Sequence, residues 1–120
     1  MNLKIIDGGG DKIALCHSPG VVISDGQSAL DFFATIEYHH RCVRIALNKS
    51  AICEDFFDLR TGVAGEVAQK FVNYGIRLAV YGDFSGYKSR ALADYIYECN
   101  KNGPLYFVAS EDDAIAKLRP

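Results

Sequence analysis

The sequence predicts an α/β fold: a mostly parallel central sheet, an antiparallel N-terminal hairpin at one edge, and about four helices. Three observations carry this prediction. Short apolar runs recur along the 120 residues at regular intervals. Beyond Ser24 those runs alternate with segments of helical period, whereas the first two are separated only by a glycine-rich turn. Strands separated by helices of about a dozen residues build right-handed βαβ units and pair in parallel. Two runs around a tight turn pair antiparallel.

The elements follow in order. Leu3–Ile6 and Lys12–Cys16 are β-prone runs on either side of Asp7-Gly8-Gly9-Gly10-Asp11. The glycine triplet reads as a turn, because no helix follows it and the G-x-x-x-x-G-K-[ST] spacing of a phosphate loop is missing. Pro19-Gly20 punctuates, and Val21–Ile23 is a short extended piece. Ser24 is expected to cap the first helix with Gln27 at the capping-box position, and Ala29, Leu30, Phe33 and Ile36 mark its buried face. Val43, Ile45 and Leu47 alternate with Arg44, Ala46 and Asn48 at the period of a strand.

Lys49 to Leu59 is the least regular stretch. Helical period returns from Arg60, with Val63, Val67 and Phe71 on one stripe, Ala64, Ala68 and Val72 beside it, and Gly75 as the stop. Ile76–Tyr81 is the next strand. Ser89 caps a helix carrying Leu92, Tyr95, Ile96 and Cys99 on one face, and Asn102-Gly103-Pro104 ends it. Leu105–Val108 is wholly apolar, as strands covered on both faces are. Ser110 caps a last helix whose Glu111, Asp112 and Asp113 suit its positive end.

Composition bounds the function. A hydrophobic fraction of 49% and a charged fraction of 23% match a soluble globular protein rather than a disordered or fibrous one. A chain of this length buries roughly two-thirds of its unfolded surface, so residues 1–120 are expected to form a single domain without staples. Lys and Arg number 13 against 15 Asp and Glu, for a net charge of −2, which argues against a nucleic-acid partner. No apolar run is long enough to cross a bilayer, and Met1–Asp7 reads as a strand rather than a signal peptide. Cys16, Cys42, Cys53 and Cys99 are scattered without a C-x-x-C pair, as in a cytoplasmic protein.

Two resemblances attach to particular residues. The opening hairpin followed by α-β-α-β-α-β-α resembles the STAS domain, the fold of bacterial anti-sigma factor antagonists. In that family an Asp-Ser-Ser-Gly-like turn opens the second main helix and its serine is phosphorylated. Phe56-Phe57-Asp58-Leu59-Arg60-Thr61-Gly62-Val63-Ala64-Gly65 is similar, with Thr61 in place of the serine and a longer approach from the preceding strand. The resemblance implies a regulatory, non-enzymatic domain that binds another protein, with Thr61 as candidate phospho-acceptor. A second resemblance covers nearly the whole chain. Val22-Ile23-Ser24-Asp25, Asn48–Ile52, Glu54–Leu59, Ala64-Gly65-Glu66, Gln69–Tyr74 and Gly82-Asp83-Phe84-Ser85 resemble the bacterial family called domain of unknown function 4180.

Ligands of open α/β sheets bind outside the carboxyl ends of the strands. Those ends supply Asn48, Lys49 and Ser50, then Asp83 and Ser85, then Ser110 and Glu111, while the long loop adds Glu54, Asp55 and Asp58. This rim is the candidate site for a partner, or alternatively for a small ligand or substrate. A response-regulator receiver would need a lysine after the Leu105–Val108 strand, and none is there. His39, His40, Cys42 and the Cys16-His17 pair lack the spacing of a zinc module, so no metal is expected. No cofactor motif occurs, and neither does a G-x-S-x-G elbow. Seven tyrosines are many for this length. They suit an interface with another protein or a second copy of the chain, with Tyr87 and Tyr97 the ones expected at the surface.

Overall fold

A computed structural model describes residues 1–120. Its five strands lie in the order of the sequence itself. β1 (Asn2–Asp7) and β2 (Lys12–His17) pair antiparallel around a turn closed by the Gly8 N–H donating to Asp11 O at 2.8 Å. β3 (Arg44–Asn48), β4 (Arg77–Tyr81) and β5 (Leu105–Val108) then add in parallel. Helices α1 (Gly26–His40), α2 (Val63–Tyr74) and α3 (Arg90–Asn102) make the crossovers, and α4 (Glu111–Leu118) follows β5. The hairpin edge, the parallel remainder and the four helices are those the sequence predicts.

Each crossover steps one strand further in the same direction, so right-handed connections lay α1, α2 and α3 on one face. The larger core lies there: Ala14, Ile45, Leu47, Leu78, Val80, Leu105 and Phe107 of the strands meet Phe33, Ile36, Val67, Phe71 and Leu92 of the helices. On the other face Ile13, Ala46, Ala79 and Tyr106 pack under Ala114 and Leu118 of α4. The strand period therefore sorts residues between two cores rather than between core and solvent. Ala46 and Asn48, which alternate with apolar neighbours in the sequence, are as buried as Ile45 and Leu47.

Several local expectations shift by a residue or a turn. The α1 cap is Asp25, not Ser24. Its carboxylate accepts from Ser28 N at 2.8 Å while the Ser28 hydroxyl accepts from Asp25 N at 3.0 Å, so the box is Asp25–Ser28 and Gln27 bonds Asp31 instead. Phe32 joins the buried face of α1, and Leu30 lies only partly covered. The α2 helix begins at Val63 rather than Arg60, because Gly62 adopts φ 79° and breaks the 3-10 turn at Leu59–Thr61 from the helix. Val72 points to solvent. Gly75 (φ 68°), Ser89 and Ser110 terminate and cap as expected.

The β5 edge of the sheet is closed by one side chain. The Asn100 amide donates to Phe107 O at 3.0 Å and accepts from Phe107 N at 2.8 Å, filling the place of a sixth strand. Asn100→Ala leaves both backbone groups without a partner in a half-buried position, an expected loss of about 1–3 kcal/mol. Urea denaturation should show a lower midpoint at unchanged slope, and light scattering should show earlier aggregation on heating as the strand edge opens.

Candidate functional site

β3 and β4 end side by side at Asn48 and Tyr81. The chain leaves β3 through 3-10 turns at Lys49–Ala51, Glu54–Phe57 and Leu59–Thr61. It leaves β4 through Gly82–Ser89. A Cβ on Gly82 would stand 2.6 Å from Lys49 Cβ, so glycine lets the two exits approach. Beneath them the Phe57 ring stacks on Tyr87 with centroids 5.2 Å apart and meets Phe84 at 5.8 Å.

Lys49 lies over this aromatic floor, its ammonium 5.0 Å from the Tyr87 centroid and 5.4 Å from that of Phe57. It pairs with Glu54 at 3.6 Å, and the Tyr87 hydroxyl donates to the other Glu54 oxygen at 2.9 Å. The Tyr87 hydroxyl first, with the Glu54 carboxylate behind it, raises the Lys49 pKa above the ordinary lysine value against the opposing cost of burial. A raised pKa favours the protonated, hydrogen-bond-donating form of Lys49. Tyr87 is thus half-buried and engaged, not free at the surface. The exposed tyrosines are Tyr97, as expected, and Tyr38 and Tyr74, which the sequence did not single out.

The carboxylates of the rim are held by near neighbours. Asp83 accepts from the Ser85 hydroxyl at 2.6 Å and from Ser85 N at 2.9 Å, which lowers its pKa. Arg60 forks onto Asp58 at 3.0 and 2.9 Å, and this pairing, with the Arg60 N–H, lowers the Asp58 pKa. Thr61 is exposed, two residues before α2. Its hydroxyl lies 2.6 Å from Asp55 O and 2.9 Å from Asp58 O, and it accepts from Val63 N at 3.3 Å. The hydroxyl therefore ties the loop to the start of the helix.

Asn48 is buried and fully used. β2 and β3 share only the pairs Ala14–Ile45 and Leu15–Ala46 and then part. The Asn48 amide replaces the missing rungs, accepting from Ser18 N and donating to Ser18 O, both at 2.8 Å, and reaching Ser50 Oγ at 2.6 Å. Tyr81 spans the same gap from β4, donating to Cys16 O at 2.8 Å. Burial pushes its phenol up to about 12. Tyr81 escaped sequence reasoning because an apolar strand gives no sign of which aromatic reaches across a parted ladder.

The structure thus brings Lys49, Glu54 and Tyr87 together with Asp83 alongside, joins Asn48 to Ser50, and gathers Asp55, Asp58 and Thr61 separately. None of the four surface depressions is lined by Lys49 or Asp83. Asp58 borders one of about 390 Å³ with Phe57, Arg60 and Ser89. The five residues weighed as a metal shell divide between the two ends of β2. Cys42 is buried beside the start of that strand, its thiol 3.3 Å from Lys12 O, while Cys16 and His17 lie at its far end. No three His, Cys, Asp or Glu side chains converge as a metal shell would.

Fold and rim together define a mixed α/β domain with an acid-rich face at the strand carboxyl ends. The family model for the domain of unknown function DUF4180 matches residues 8–118, and the chain belongs to that family. No curated protein and no solved structure matches the chain. No helix is long and apolar enough to cross a membrane.

Two outcomes follow from this geometry. Asn48→Ala strips partners from two buried backbone groups, a loss of about 2–4 kcal/mol, and Asn48→Asp is no rescue because a carboxylate cannot donate to Ser18 O; chemical denaturation reads both. The Lys49 pKa is raised on folding, so the stabilisation it supplies is intact at neutral pH and is lost only as pH climbs through the raised value. Tyr87→Phe should move the Lys49 midpoint down, as followed by NMR of the lysine Cε methylene.

Proposed function

We propose that the chain is a non-enzymatic regulatory domain that binds another protein through the acidic rim at the strand carboxyl ends. The observation that carries this reading is the segregation of charge. The segments emerging at that end hold Asp25, Glu54, Asp55, Asp58, Glu66, Asp83, Glu111, Asp112 and Asp113, against Lys49, Arg60, Lys88 and Arg90. The opposite end holds Lys12, Arg41, Arg44, Arg77, Lys101, Lys117 and Arg119 against Asp7, Asp11, Glu37 and Glu98, of which Asp11 and Glu98 are paired with Arg44 and Lys101. Part of this polarity has an internal cause, because all four helices start at the acidic end, where their dipoles favour carboxylates. Asp25, Asp58 and Asp83 are spent in that way or on a neighbour. Asp55, Asp112 and Asp113 make no side-chain hydrogen bond or ion pair, and they are exposed. These free carboxylates suit a basic partner.

The enzymatic alternative draws little support from the rim. Its lysine has a raised pKa, Asp58 and Asp83 have lowered ones, and no depression is lined by Lys49 or Asp83. The regulatory half of the reading rests on the element order and on the Asp58–Gly65 segment, which resemble STAS domains. Charge-driven docking is read by fluorescence anisotropy with a labelled oligolysine peptide. Binding should weaken steeply with salt and fall about tenfold in the Asp55→Lys, Asp112→Lys double variant. Lys12→Glu at the opposite end should leave it unchanged. Absence of binding, or equal loss from both ends, overturns the acidic-face reading.

Thr61 has its own test. As a tie, both Thr61→Ala and Thr61→Glu lose about 1 kcal/mol of stability, and binding falls in step with stability. Loss of binding in Thr61→Glu alone, with stability retained, makes Thr61 a switch instead.

A further inference from the structure

The parting of β2 and β3 opens the sheet at the carboxyl end of a parallel pair, the place where α/β folds hold ligands. Asn48, at the end of β3, closes the gap at Ser18 with two hydrogen bonds. On the face of the smaller core α4 packs over β3, β4, β5 and the start of β2 but not over β1, and a depression of about 290 Å³ remains between its first turn and the hairpin. That volume is near the lower end of small-molecule sites, roughly 300–1,000 Å³.

The hairpin register decides what faces it. Asn2 stands opposite His17 and Lys4 opposite Leu15, so these four side chains share the α4 face of the sheet. Leu15 packs against the smaller core and forms a half-buried apolar floor. The Tyr81 hydroxyl, which donates to Cys16 O, also lines the depression, and the Glu111 carboxylate stands against it at the start of α4. One flank therefore offers the Lys4 ammonium and the His17 ring. The other offers the Glu111 carboxylate and the Tyr81 oxygen. Neither Lys4 nor Glu111 forms an ion pair, and the contact of Glu111 is with the neutral Tyr81 hydroxyl, so a cation and an anion flank an apolar floor without neutralising each other.

We propose that this cleft binds a small zwitterion of amino-acid size, its carboxylate held by Lys4 and His17, its ammonium by Glu111 and Tyr81, and its short apolar body on Leu15. The site lies away from the Lys49–Tyr87 cluster and does not depend on the docking reading above.

The test uses L-valine as probe, with isovalerate, which lacks the ammonium, and isobutylamine, which lacks the carboxylate, as its two single-charge analogues. Amide shifts in a ¹H–¹⁵N spectrum are followed to about 20 mM ligand, a range that reaches weak millimolar binding. Valine should shift Leu15, His17, Tyr81 and Glu111 saturably, and each analogue should bind about tenfold more weakly, since each loses one charged contact. Lys4→Ala and Glu111→Gln should each cost about tenfold in valine affinity while the melting temperature holds, both side chains being exposed. Lys4→Ala should leave isobutylamine unaffected, and Glu111→Gln should leave isovalerate unaffected. No saturable shift with valine, equal binding of valine and an analogue, or unchanged affinity in both variants overturns the proposal.

Discussion

The handedness of the crossovers governs this molecule. Strands laid down in sequence order and joined only by right-handed connections send α1, α2 and α3 to the same face. The other face then depends on the chain beyond β5, and α4 is an eight-residue helix. It closes over Ala46 and Ala79, whose small side chains admit it, and Arg44 fastens its end by donating to Leu118 O. A helix this short covers the centre of a five-stranded sheet and Ile13 at the start of β2 but leaves β1 and the far end of β2 uncovered. The second face is therefore part core and part cleft.

The same topology explains why the rim between β3 and β4 is filled. Deep crevices form where successive connections leave for opposite faces of the sheet. Here consecutive crossovers leave on the same side, so no reversal opens the space above β3 and β4. Aromatic rings occupy it instead: Phe57, Phe84 and Tyr87 form a floor, and Lys49 lies across them. Where an opening does exist, between β2 and β3, it results from a ladder that stops after two pairs. Asn48 and Tyr81 bridge that opening by hydrogen bonds to Ser18 and Cys16, which keeps the parted backbone from being left unsatisfied.

Charge follows the fold as well. Parallel strands return every helix N-terminus to one end, and carboxylates gather there because free N–H groups and aligned dipoles favour them. Asp25 and the Glu111–Asp113 run are direct instances, with Ser110 as the cap of the latter helix. An acid-rich face is thus partly a by-product of the architecture. What makes it available to a partner is the subset of carboxylates, Asp55 and Asp112 among them, that the fold does not use.

Local physics determined much of this in the sequence itself. The alternation of apolar runs with helical periods set the order of elements. Gly75, Ser89, Ser110 and the Gly103-Pro104 stop placed the ends of helices, because caps and left-handed turns depend on neighbours within a few residues. Lys49 and Asp83 were legible as rim residues for the same reason, since strand ends can be read locally. Tertiary structure alone decided the rest. Asn48 reads as a polar strand end, and only the parting of β2 from β3 turns it into a clip on Ser18. Tyr87 reads as a surface tyrosine until the loop after β4 folds it onto Phe57. Lys4, Leu15, His17, Tyr81 and Glu111 come from four separate elements, and no sequence spacing connects them. Their meeting depends on register and on where a short helix stops covering a sheet, and both are set by long-range packing.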